Sequence, residues 1–158
     1  MNIGMSAVNA RIMICIISIL MPVILLVTTG TKLPSLSEYF YTPMGPFFIA
    51  VLTLTCYLMF TIPKWIPSAV LLGLVIMLPN HEFETLHNVI AITFFITTAL
   101  AILTEKRFRI IGWIMVLLSP IALIDLFLVE MIMISCISAY HLKVLFAIKN
   151  MIKKNSVR

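Results

Sequence analysis

Two histidines and two carboxylates crowd one short stretch of an otherwise apolar chain, Asn80-His81-Glu82-Phe83-Glu84-Thr85-Leu86-His87. His81, Glu84 and His87 follow one another at intervals of three, so on a helix each neighbouring pair lies on adjacent turns. Imidazole and carboxylate are the groups that hold zinc and orient a hydrolytic water. Histidine also changes charge near neutral pH, which suits a ligand- or proton-responsive site. A plainer account covers the same residues. After Asn80 as cap, Glu82 and Glu84 stand where a helix dipole favours negative charge, and the histidines are ordinary interfacial residues. The spacing is not the i,i+4 histidine pair of a zincin helix.

Asp125 and Glu130 interrupt a long apolar run. Carboxylates in hydrocarbon are expensive, and they face a bundle interior or a wet cavity. Asp125 reads as the turn of a helical hairpin. Glu130, one turn deeper, is the stronger functional carboxylate, with His87 or a tyrosine expected as its partner. The loop after the first apolar run adds Ser35, Ser37, Glu38, Tyr39 and Tyr41 to the same face. The expected ligand- or proton-sensing set is therefore Ser37, Tyr39, His81, Glu84, His87, Asp125 and Glu130. No catalytic residue, metal or cofactor is assigned.

Basic residues form a second group. Lys106, Arg107 and Arg109 lie in one turn, and Lys149, Lys153 and Lys154 in the C-terminal segment. Attraction to anionic lipid explains such clusters, and docking of a cytoplasmic protein is the other reading. Nucleic acid is not expected, because no folded basic face with interleaved aromatics is present. Lys143 is expected to snorkel to the headgroups, and His141 to be a satisfied helix residue. Cys15, Cys56 and Cys136 fall inside apolar runs in odd number, as packing residues rather than a disulfide framework.

The chain that positions these groups has 158 residues, 62% of them hydrophobic and 11% charged. Ordinary globular domains are about a quarter charged, so most of this surface must face something apolar. The apolar runs do not alternate as barrel strands would, which leaves helices, since backbone groups in hydrocarbon must pair within their own segment. The expected fold is an all-α polytopic bundle with six crossings, and four if the short third run is re-entrant or kinked. Helices are expected at about 11–29, 46–62, 65–79, 84–103, 108–124 and 126–147, in a transmembrane domain 1–148 followed by a fraying basic tail 149–158. Arg11 followed by an apolar stretch reads as a retained first helix rather than a cleaved signal. The positive-inside rule places both termini in the cytoplasm of a bacterial inner membrane. Arg11, Lys64, Lys106, Arg107, Arg109, Lys143 and the tail then lie inside, with Lys32 alone outside.

The run Leu33-Pro34-Ser35-Leu36-Ser37-Glu38-Tyr39-Phe40-Tyr41-Thr42-Pro43-Met44 resembles the Ser-x-Ser-x-Tyr-Tyr-x-Thr loop of uncharacterised small bacterial membrane proteins. Leu78-Pro79, then His87 and Ala91-Ile92-Thr93-Phe94-Phe95, are similar to the same group and more distantly to six-helix DRAM-type proteins. The resemblance implies six helices and an outward polar site at Ser37, Tyr39 and His87, and it carries no activity. A remoter likeness to ceramidase-type intramembrane hydrolases implies zinc held by several histidines and an aspartate, but a His-x-x-x-His pair on a late helix is lacking.

The leading functional expectation is non-enzymatic. It is a small sensor or scaffold subunit coupling an outer-face or bilayer signal to a cytoplasmic partner, in signalling, stress response or defence against phage. An oligomeric channel or transporter is the second reading, with Glu130, Thr93, Thr97, Thr98 and His141 lining a conduit. An intramembrane zinc hydrolase using His81, His87 and Asp125 is the third.

Overall fold

The structure is a computed structural model describing residues 5–155. Positions 1–4 and 156–158, the latter including the expected tail cation Arg158, lie outside the described residues. Six α-helices follow in order among the described residues: α1 (Met5–Thr29), α2 (Gly45–Phe60), α3 (Ile66–Met77), α4 (Asn80–Leu103), α5 (Arg109–Leu118) and α6 (Leu126–Asn155). Three 3-10 turns, Leu36–Tyr41, Pro63–Trp65 and Ser119–Leu123, punctuate them.

Local chemistry sets the boundaries. Gly30 ends α1 in the left-handed region, at φ 68, with its N–H on the Leu26 carbonyl, a conformation open to glycine at little cost. Pro46 and Pro67 fall in the first turns of α2 and α3, where no N–H is missed. Pro120 starts the 3-10 turn that ends the fifth helix at Leu118, short of the 108–124 expected. At the other end of the chain the expected break at 149 is absent, for α6 continues through Lys149, Lys153 and Lys154 to Asn155.

Each helix packs on its neighbours in sequence, and α6 closes the circle by packing along α1. The result is a ring of six helices. One end carries the loop 31–44, the α3–α4 joint and Asp125. The other carries Lys64, the α4–α5 turn and the C-terminal half of α6. The core below the loop holds Met21, Leu25, Leu36, Tyr39, Phe48 and Phe127, and a larger cluster built around Trp65, Met59, Ile102, Met115 and Tyr140 fills the opposite end.

The outer surface is strongly apolar, with Val27 74%, Met77 76%, Leu117 71% and Ile124 88% exposed. Soluble monomers rarely leave such area to water. Ala7–Thr29, Asn80–Leu103 and Leu126–Asn155 are each long and apolar enough to cross a membrane, while the helices at Gly45–Phe60, Pro63–Met77 and Arg109–Ile121 are apolar but shorter.

The loop joins α2 through a close approach. A Cβ on Gly45 would overlap the Phe40 carbonyl oxygen, and the Gly45 N–H bonds the Thr42 carbonyl at 2.8 Å. Gly45→Ala should therefore push the loop off the ring and destabilise the fold by about 1–3 kcal/mol, the usual cost of overpacking. Thermal unfolding in detergent, with Gly73→Ala as control, checks this, because a Cβ at Gly73 meets only the Cys56 sulfur at 3.6 Å.

Candidate functional site

The loop 31–44 has little regular structure to absorb its polar groups, so side chains from α4 and α6 must do so. From α6, the Glu130 Oε2 accepts the Leu36 N–H at 2.6 Å, and the Phe127 N–H bonds the Pro34 carbonyl at 3.1 Å. Within the loop the Tyr39 hydroxyl donates to the Thr31 carbonyl at 2.9 Å, and the ring is fully buried beside Phe127.

From α4, His87 is buried and bonded on both nitrogens. Nδ1 lies 2.6 Å from the Leu78 carbonyl and Nε2 lies 2.9 Å from the Ser37 hydroxyl. A carbonyl can only accept, so Nδ1 carries a proton, while the Ser37 hydroxyl is able to serve Nε2 as donor or acceptor. His81 instead lies at the exposed rim. Its ring stacks on Tyr41 at 3.7 Å and its Nε2 sits 2.9 Å from Glu38, whose other oxygen accepts from the Asn80 amide at 2.9 Å. The His81 N–H reaches the Tyr41 hydroxyl at 2.7 Å.

The regular 3-3 spacing does not gather His81, Glu84 and His87. The backbone kinks at Phe83, with φ −133 and ψ 42, which turns the first turn of α4 away from the rest. Glu84 is exposed and makes no hydrogen bond or ion pair among the described residues. Asp125, His81 and His87 each engage a different partner, and no group of three or more His, Cys, Asp or Glu able to hold a metal ion occurs among the described residues. Glu130 partners a backbone N–H rather than His87 or a tyrosine.

Beneath the loop the ring encloses a cavity of about 100 Å³. Its wall is apolar, with Leu52, Leu72, Ala91 and Phe94 from α2, α3 and α4, and Ser37 and Glu130 stand at the loop end. Glu130 is the one ionisable group lining it among the described residues. The arrangement is an apolar slot with a polar lid, the usual form of a small-ligand site.

The opposite end holds a cluster that sequence reading missed. An Arg11 N–H donates to the His141 Nδ1 at 3.0 Å, the His141 ring lies 4.4 Å from that of Trp65, and the Arg11 guanidinium sits over Tyr140. The Tyr140 hydroxyl donates to Glu105 at 2.6 Å, and Lys64 pairs with the same oxygen at 2.7 Å. Trp65, Tyr140 and His141 are fully buried, and the Trp65 Nε1 and His141 Nε2 find no hydrogen-bond partner among the described residues. Arg11 and His141 lie 130 positions apart, which no local pattern could reveal. The apolar setting of His141 and the lone Arg11 at the head of a span were the available signals.

Of the expected conduit residues, Thr98 donates to Ser68 at 3.1 Å in the core and Thr93 bonds the carbonyl of Val89 in its own helix. Thr97 is half-buried. Lys106, Arg107, Arg109, Lys149, Lys153 and Lys154 are all exposed, and the Arg109 Nε also caps α4 through the Leu103 carbonyl at 3.1 Å. Compared with protein-family models, curated proteins and solved structures, the chain matches none.

Asp125 caps α6 by accepting the Leu128 N–H at 2.9 Å and pairs with Lys32 at 2.5 Å. The hydrogen bond from Lys32, helped by that from Leu128, holds its carboxyl below the usual carboxylate range. A depressed folded-state value gives stability above the unfolded value that disappears as pH falls through the folded one. Asp125→Asn should thus lower Tm at neutral pH, and the gap to wild type should close as pH drops well below about 4. Melting curves of both proteins across that range provide the check.

Proposed function

We propose that this chain is a non-enzymatic membrane sensor that takes an apolar ligand from the bilayer into its ring cavity and passes the event to a cytoplasmic partner. In this reading it crosses a bacterial inner membrane six times with both termini inside. The single observation carrying the proposal is the apolar cavity beneath the loop, closed by Ser37 and Glu130. Three helices of spanning length and the apolar exterior support the setting. The concentration of exposed cations at the other end supports the orientation, since Lys and Arg flank cytoplasmic helix ends. The loop is the natural reporter, because Glu130, which holds it, and its own Ser37, which bonds His87, both line the cavity.

An occupant is tested directly. In nanodiscs, an alkanol carrying a photoactivatable tail should label Leu52 or Phe94. Ala91→Phe, which fills the slot, should cut that labelling by about tenfold, the effect of 1.4 kcal/mol of lost affinity. Labelling spread evenly over the outer helix faces, and indifferent to Ala91→Phe, would refute the cavity as a ligand site.

Partner docking is a separate test. Solubilised mildly from its host, the wild-type protein should carry a stoichiometric soluble protein that is lost when Lys106, Arg107 and Arg109 are all changed to Glu. Recovery of the chain alone, or of a partner indifferent to those changes, would count against the relay.

A further inference from the structure

We propose that the ligand is a single-chain amphiphile with an amine head, bound with its alkyl tail in the ring and its nitrogen against Glu130. This rests on the cavity being a ligand site and adds the chemistry of what it selects. Glu130 is only 8% exposed and lies in a mostly apolar wall, whose other polar residues are Ser18, Ser37 and Thr55. One carboxyl oxygen holds the Leu36 N–H at 2.6 Å, and the other accepts no hydrogen bond among the described residues. A buried carboxylate with one neutral donor is left short of counter-charge.

The protein's own cations do not supply it. Lys32, at the same end, is engaged by Asp125 at 2.5 Å, and Arg11 is engaged by His141 at the opposite end.

An amine head meets all of this. A carboxyl group and an alkylamine form the same ammonium–carboxylate pair whichever of them brings the proton. The ammonium has donors to spare for the Ser37 hydroxyl oxygen, which lines the same cavity. Size selects one tail. About 100 Å³ is somewhat less than the ~150 Å³ of an engineered cavity that holds benzene, so the slot takes one short alkyl chain and not the two chains of a bulk phospholipid.

The test is competition against the photoactivatable alkanol in nanodiscs of zwitterionic lipid, using butylamine, butanol and butyrate. With wild-type protein, butylamine should displace the label at about tenfold lower concentration than butanol, with butyrate weakest, as expected for a close charge pair. Glu130→Gln keeps an oxygen for the Leu36 N–H and should bring butylamine to the potency that butanol has on the same variant. Equal potency of butylamine and butanol on wild-type protein, or a butylamine preference that survives Glu130→Gln, would overturn the amine assignment. In either case cavity labelling sensitive to Ala91→Phe would leave the ligand site standing. Failure of the alkanol itself to label the cavity would remove both readings.

Discussion

A buried backbone N–H must find an acceptor, and Leu36 finds one in the carboxylate of Glu130. Much of the loop end follows from that need. The 3-10 turn Leu36–Tyr41 is too short to satisfy its own polar groups, so α6 supplies Glu130 and the Phe127 N–H, and α4 supplies His87, His81 and Asn80. Placing Glu130 on α6 close enough to serve Leu36 also places a carboxylate in the cavity wall. A single group therefore holds the lid and gives the chamber its polarity.

The helices were legible because each apolar run ends on a residue with a physical reason to end it. Gly30, Pro46 and Pro67 mark boundaries by their backbone preferences, and the cluster Glu105 to Arg109 marks the α4–α5 turn by charge, whereas Pro120 ends α5 short of the 124 expected. The candidate site was half legible. Ser37, Tyr39, His87, Asp125 and Glu130 stood out as polar residues in an apolar chain, and the structure gathers them with the loop. What they bond was not legible, since Glu130 meets Leu36 across 94 positions and Ser37 meets His87 across 50. The spacing of His81, Glu84 and His87 misled for a local reason. It presumes a continuous helix, and Phe83 breaks that continuity.

The two ends of the ring are held by different physics. At the loop end the contacts of His81, Asp125 and Lys32 are at least partly open to water, where such pairs contribute little and are easily exchanged. At the other end Trp65, Tyr140 and His141 are sealed from solvent, with Arg11 and Glu105 brought against them. Breaking one partner there leaves a polar group stranded in apolar surroundings, which is costly. The solvent-open pairs of the loop end therefore contribute less than the sealed contacts of the basic end, and the loop is held chiefly by its buried bonds to Glu130 and His87.

A sensor of the proposed kind also needs an element that touches the ligand and reaches the docking surface. Both α1 and α6 run the length of the ring and pack on each other throughout. On α6, Glu130 and His141 are eleven residues apart, close to three full turns, so they share a face about 16 Å from one another. His141 is where α6 meets Arg11 of α1, and the same helix continues without a break to Lys149, Lys153 and Lys154. A shift of α6 driven by charge neutralisation at Glu130 would be resisted by the Arg11, Trp65 and His141 contacts and delivered, as rotation or translation, to the exposed cations beyond them. Helices in close packing move between discrete arrangements rather than bending smoothly. The buried donors on Trp65 and His141 that lack an acceptor among the described residues mark the place where a second arrangement, with those donors paired, has something to gain.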